Sequence, residues 1–193
     1  MRQVVSETIL AAAEEVLAER GAHAASVGEI AARAGVSVGT LYNHFEDRTA
    51  LVQALYRARR EQSSPRFVEL FEATAGRPFE ARFRAYLRAV AELFDEKRAF
   101  VRVALETEHL RTAERGAGRA ARPVLGKLYE CLVALLRVGI EEGTVHIADP
   151  DLAARVCAAG LRAMVLRGVT EGLPFAADVD AVADILLHGV TQR

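Results

Sequence analysis

Apolar residues return along most of the chain with the spacing of one helix face, and nowhere in the strict alternation of a half-buried strand. The first run is SETILAAAEEVLAERG. It sets Ile9, Ala13, Val16 and Leu17 at i, i+4, i+7 and i+8, and Gly21 supplies a stop. SVGEIAARAG follows. Ser26 can accept from the backbone three residues on while Glu29 reaches back, a capping box, and Ile30 and Ala34 face inward. Ser37 to Asn43 reads as a short third helix. A fourth opens at Asp47, with Leu51, Ala54, Leu55 and Ala58 on one face, and Ser63, Ser64 and Pro65 are expected to interrupt or kink it. TAGRP, from Thr74 to Pro78, is a break.

Helices are then expected from Phe79 to Phe94 and from Arg98 to Leu110. The next, Pro123 to Glu142, turns Leu125, Leu128, Leu132, Leu135 and Leu136 inward and stops at Gly143. Another starts at Asp149 as N-cap, with Pro150 in the first turn. The last runs from Asp178 to His188. Alanine, leucine, glutamate and arginine dominate these runs, and all four favour helix. The fold class expected is therefore all-α.

Composition narrows the function. Of 193 residues 51% are hydrophobic, enough for a substantial core, and the formal net charge of −1 gives no global field toward a polyanion. Nucleic-acid binding would have to be local. Cys131 and Cys157 form no C-x-x-C pair and sit in apolar helical stretches, which reads as buried thiols in a reducing cytosol rather than a redox switch. No apolar run reaches the roughly 18 residues of a membrane span, and the N-terminus lacks the pattern of a leader, so a cytoplasmic protein is expected. No nucleophile elbow, phosphate loop or H-E-x-x-H motif is present, so no enzyme, cofactor or metal is expected.

GVSVGTLYNHF, Gly35 to Phe45, is the segment with chemistry to offer. A glycine-bounded turn between two short helices is what a helix-turn-helix needs. Gly35 turns the chain, Val36 packs into the angle, and Ser37 caps the third helix. Gly39 and Thr40 keep that helix thin at its N-terminal end, where free N–H groups favour phosphate. Hydroxyls of Ser37, Thr40 and Tyr42 can bond phosphates or base edges, His44 adds a ring N–H, and Arg48 adds a cation. Leu41 and Phe45 read as core. With no arginine or lysine between Ser37 and Asn43, direct readout falls to Val38, Gly39, Thr40 and Asn43, with DNA shape adding to it.

The ordered pattern EIAARAGVSVGTLYNHF followed by EDRTAL resembles the TetR family of transcriptional regulators, by motif over about Ile9 to Leu55. The resemblance implies a recognition helix at Ser37 to Asn43 in the major groove. It also makes Ser26, Thr40, Tyr42, His44 and Arg48 mainly phosphate contacts. It implies a helix-turn-helix domain over residues 1–46 and a helical ligand-binding and dimerisation domain over 47–193, joined by the helix from Asp47 to Gln62. A homodimer reading a palindromic operator is expected, with Leu128, Leu132 and Leu135 as an apolar ridge and Ala159, Gly160 and Ala163 as a thin face. A cavity for a small apolar or amphipathic effector is expected among Phe83, Tyr86, Leu87, Val90, Phe94, Phe100 and Val103, with Glu106 and His109 offering polar atoms. Arg111, Arg115, Arg119 and Arg122 read as a solvated stripe. The alternatives are an activator or ligand-independent regulator with the same DNA module, and a small-molecule-binding protein without DNA binding.

Overall fold

The computed structural model describes residues 2–105 and 126–189. Their helices are α1 (Arg2–Ala24), α2 (Val27–Arg33), α3 (Val38–His44), α4 (Arg48–Glu72) and α5 (Phe79–Glu96). Then come α6, helical over the described residues 98–105, α7 (Gly126–Glu141), α8 (Pro150–Glu171) and α9 (Val179–His188). A 3-10 turn, Phe175–Asp178, leads into α9. Among the described residues no strand occurs, and no helix is long and apolar enough to cross a membrane. Glu106, His109 and the arginines at 111, 115, 119 and 122 lie outside the described residues.

The chain forms two compact units. The first takes Met1–Gln62 and the described part of Arg98–Val124; the second takes Ser63–Lys97 and Leu125–Arg193. The line therefore falls inside α4, at residue 62 rather than 46. The reason is packing: Leu51 and Leu55, on the first half of α4, are fully buried in the same core as Ile9, Leu17, Ile30 and Leu41. Burying each such side chain stabilises by roughly 1.5–3 kcal/mol, so the first half of α4 belongs with the short helices it covers. Pro65 does not interrupt α4 as the sequence suggested. A proline removes one helical hydrogen bond. Here Phe67 is buried two residues on, with Leu70 and Phe71 packed against the same core, and that outweighs the loss.

In the first unit α6 is held by Tyr56, whose hydroxyl donates to the Val103 carbonyl at 2.8 Å while its ring lies 5.4 Å from that of Phe100. Phe100 and Val103 thus serve this core and not the effector-binding core expected for them. Arg59 ties α4 to α1 through Glu7 and Glu14, at 2.7 and 2.5 Å.

The second unit closes around Phe83, Tyr86, Leu87, Val90, Leu128, Leu132, Leu135 and Leu161, each at most 2% exposed. Leu128, Leu132 and Leu135 are consumed by this core, so their ridge offers no surface to a second copy. Cys131 and Cys157 are buried free thiols, and burial raises both, Cys157 to about 11, so neither is a poised thiolate.

Candidate nucleic-acid interface

The turn between α2 and α3 is built as the sequence implied. Gly35 takes φ 67°, a conformation costly for any residue with a Cβ, and Val36 packs against the first core. Ser37 caps α3, its Oγ accepting from the Thr40 N–H at 3.0 Å, and the two hydroxyls lie 2.8 Å apart. Leu41 and Phe45 anchor the inner face at 0% and 7% exposure.

The outer face is left open. Val38 is 44% exposed and Tyr42 48%, and Gly39 and Asn43 are exposed beside them. Val38 and Tyr42 are one helical turn apart and so share this outer face. A Cβ at Gly39 would meet only the Ser37 hydroxyl, at 3.8 Å, so the glycine leaves room outward rather than relieving an internal clash. Of the residues expected to touch DNA, Ser26, Ser37, Val38, Gly39, Tyr42 and Asn43 are exposed. Thr40 and His44 are half-buried. Arg48 is half-buried too, its Nε donating to the Ala25 carbonyl at 3.4 Å. That contact stitches the start of α4 to the residue before the α2 cap.

Ser26 and Glu29 make the capping box at the start of α2. The Ser26 N–H donates to Glu29 Oε2 at 3.0 Å, and the Glu29 N–H donates to Ser26 Oγ at 3.2 Å. The bonds from Ser26, backbone first, hold the Glu29 carboxyl below its ordinary value of 4.5. The folded value lies below the unfolded one. The bonus is therefore fully present above 4.5 and is lost as pH falls through the lowered folded value. Glu29→Gln is expected to flatten the acid limb of the thermal midpoint against pH. An unchanged limb would remove Glu29 from the account.

The sequence did not reveal which apolar residues α8 leaves outside. Leu152 (59% exposed), Val156 (54%), Ala159 and Ala163 make a stripe at i, i+4, i+7 and i+11, with Ile185 of α9 51% exposed. Ala159 and Ala163 keep the surface position expected of them. Gly160 faces the unit's own α9, where its Cβ would meet Val182 at 3.3 Å. The signal that could have found them is a second apolar period on α8, opposite the buried Ala154, Cys157 and Leu161.

A groove of about 470 Å³ opens in the second unit, lined by Phe71, Tyr129, Val133, Ala134 and Val138 and rimmed by Glu130, Arg137, Glu141 and Asp151. It lies outside the Phe83–Val90 set expected to line a cavity, because those side chains pack against one another as core. Phe94 is half-buried against the same core, its ring 6.2 Å from that of Phe67.

A family model described as bacterial regulatory proteins, tetR family, matches residues 9–55. The HTH-type transcriptional regulator UidR of Escherichia coli strain K12 is 42% identical over 64 residues, 33% of this chain and 33% of its own length. The match therefore spans about a third of that relative. The HTH-type transcriptional repressor KstR2 of Mycobacterium tuberculosis strain H37Rv is 31% identical over 144 residues, 75% of this chain and 69% of KstR2. Among solved structures, the fatty acid degradation regulator FadR from Bacillus halodurans superposes with a TM-score of 0.75 at 26% identity. The superposition covers 97% of each chain.

Proposed function

Because the chain belongs to the tetR family of bacterial regulatory proteins, we propose that it is a cytoplasmic, sequence-specific DNA-binding transcriptional regulator. It acts as a homodimeric repressor released from a palindromic operator by a small apolar or amphipathic effector. The observation that carries this reading is the open face of α3, where Val38, Gly39, Tyr42 and Asn43 are exposed on a helix whose other side is locked into the core. Phosphate contacts from Tyr42, Ser26, Ser37 and His44 position the helix, and Val38, Gly39, Thr40 and Asn43 read base edges. Arg48 adds its charge at the start of α4.

One short reading helix contacts few base pairs, so two copies spaced by a turn of duplex, about 34 Å, are needed for tight binding. The stripe of Leu152, Val156, Ala159, Ala163 and Ile185 supports a two-fold interface through α8 and α9. The likeness to KstR2, which extends across 75% of this chain, supports repression. The likeness to a fatty acid degradation regulator supports an effector with an apolar body. The effector acts by differential affinity for two conformations, through α4, whose two halves belong to the two units.

The test is selection from random duplexes at stated salt. Enrichment of one palindrome by the wild-type chain supports the reading. Val156→Glu, which places a charge in the proposed interface, is expected to give a folded monomer and to abolish that enrichment. A folded wild-type chain that enriches nothing, before and after denaturing and refolding to strip bound effector, overturns the DNA reading. A Val156→Glu chain that remains dimeric overturns the interface.

A further inference from the structure

The core of the second unit contains a polar atom that the core does not use. Tyr86 is 0% exposed, and its hydroxyl has no hydrogen-bond partner among the described residues. The thiol of Cys131 lies close enough to act on it, but that sulfur is a weak acceptor and its hydrogen is directed at the Phe67 carbonyl, 3.7 Å away. Leaving a buried hydroxyl unmatched costs free energy, so its retention in place of phenylalanine calls for an explanation.

One helical turn earlier on α5 is a buried cation. Arg82 is 8% exposed, and its hydrogen-bond partners among the described residues are neutral. Nε donates to Thr74 Oγ1 at 3.2 Å and one terminal nitrogen donates to the Phe71 carbonyl at 3.5 Å. The guanidinium therefore keeps N–H groups to spare. Both residues meet on Phe71. The Arg82 guanidinium carbon lies 4.3 Å from the ring centre, and the Tyr86 ring stands edge-on to it at 6.2 Å. Phe71 is also the aromatic that lines the groove beside Tyr129, Val133, Ala134 and Val138. It is half-buried, in the last turn of α4 before the break that contains Gly76.

We propose that this groove binds an amphipathic carboxylic acid whose carboxylate reaches past Phe71 to accept from the Tyr86 hydroxyl and the Arg82 guanidinium while its apolar body fills the groove. The inference rests on reading the second unit as the effector-binding part, and it adds the chemical class and orientation of the effector. The charges decide the orientation. Glu130, Glu141 and Asp151 stand at the rim against the single Arg137. Lys127 neutralises Glu130 at 2.5 Å, and the Tyr129 hydroxyl donates to Asp151 at 3.1 Å. Arg155 stacks over Tyr129 at 5.3 Å. The balance at the rim is acidic, three carboxylates against Arg137, whereas the Arg82 guanidinium behind Phe71 has no carboxylate partner among the described residues. The head group therefore goes inward and the tail lies toward the mouth. A ligand whose head is too large to pass Phe71 is excluded.

Decanoate, with decylamine as the matched chain lacking an acceptor, tests this by calorimetry on the full chain at pH 8, below micellar concentrations. Decanoate is expected to bind one per chain. Tyr86→Phe removes only an unmatched oxygen, so it is expected to keep or raise the thermal midpoint of the free protein while weakening decanoate about 10-fold. Decylamine is expected to give no saturable heat. Equal decanoate affinity in the two proteins overturns the proposal, as does absence of decanoate binding or equal binding of decylamine. Decanoyl-coenzyme A, bound as tightly as decanoate and indifferent to Tyr86→Phe, would overturn the inward orientation. Operator binding is measured separately. A chain that binds decanoate but selects no DNA sinks the regulator reading alone, and one that selects DNA but not decanoate sinks this inference alone.

Discussion

Tyr42→Ala is expected to weaken specific DNA binding by roughly 100-fold without lowering the thermal midpoint. The stability half follows from exposure: at 48% exposed, on the face of α3 opposite Leu41 and Phe45, the Tyr42 ring contributes little to the core. The affinity half follows from charge. A hydroxyl donating to a phosphate oxygen is a charge-assisted hydrogen bond, worth about 1.5 kcal/mol or tenfold. A two-fold dimer makes the contact at each half-site, and distant sites add. The comparison is made on the selected palindrome at one fixed salt concentration, since phosphate contacts make affinity salt-dependent. Tyr42→Phe separates the hydroxyl from the ring. If it binds as the wild type does while Tyr42→Ala does not, the ring is the contact and the hydroxyl is idle. Full affinity in both variants would remove Tyr42 from the interface.

Gly168→Ala is expected to cost about 3 kcal/mol and to lower the midpoint by roughly 6–12 °C, the largest stability effect of any single methyl group considered for this chain. A Cβ at Gly168 would lie 2.4 Å from Phe175 Cδ1 and 3.0 Å from the Leu173 carbonyl oxygen, one a buried ring and the other backbone. The ring cannot readily retreat. Phe175 is 0% exposed, and its N–H and that of Ala176 both donate to the Asp95 carboxylate, at 3.0 and 3.2 Å. Those bonds pin the turn between α8 and α9 to α5. Pairing the change with Phe175→Leu tests the cause, because a smaller side chain should recover part of the loss if the ring is the obstacle. Gly160→Ala is the control. Its Cβ meets only the ends of Val182 and Leu186, at 3.3 Å and beyond, and a cost close to that of Gly168→Ala would show that the close approach of Phe175 is not the reason.

Much of this molecule was legible in the chain because its signals are local. The capping box of Ser26 and Glu29, the Ser37 cap, the Gly35 turn and the inward set Ile9, Ala13, Val16 and Leu17 each rest on spacings of a few residues within one or two turns. Helix geometry turns those spacings directly into position. The α2–turn–α3 segment is one such unit, so its fold followed from sequence order alone.

Where the sequence misled, the deciding contact was made by residues far apart in the chain. Leu128, Leu132 and Leu135 read equally well as an interface ridge and as core, since both demand the same apolar period; packing against α5 and α8 decided for core. The stripe of Leu152 and Val156 was left outside by the same arrangement. Phe100 and Val103 went to the first unit because Tyr56, 47 residues from Val103, reaches its carbonyl. Pro65 sits inside a continuous α4 because apolar burial outweighs one missing hydrogen bond. The unmatched Tyr86 hydroxyl and the Arg82 guanidinium are likewise invisible in sequence, where a tyrosine and an arginine are unremarkable. The chain by itself determined that the protein is helical and that α3 follows α2 across a tight glycine turn, because those properties are written in local spacing. Only the tertiary structure decided which apolar faces are spent in the core and which polar groups lack a partner, because burial is settled by every element at once.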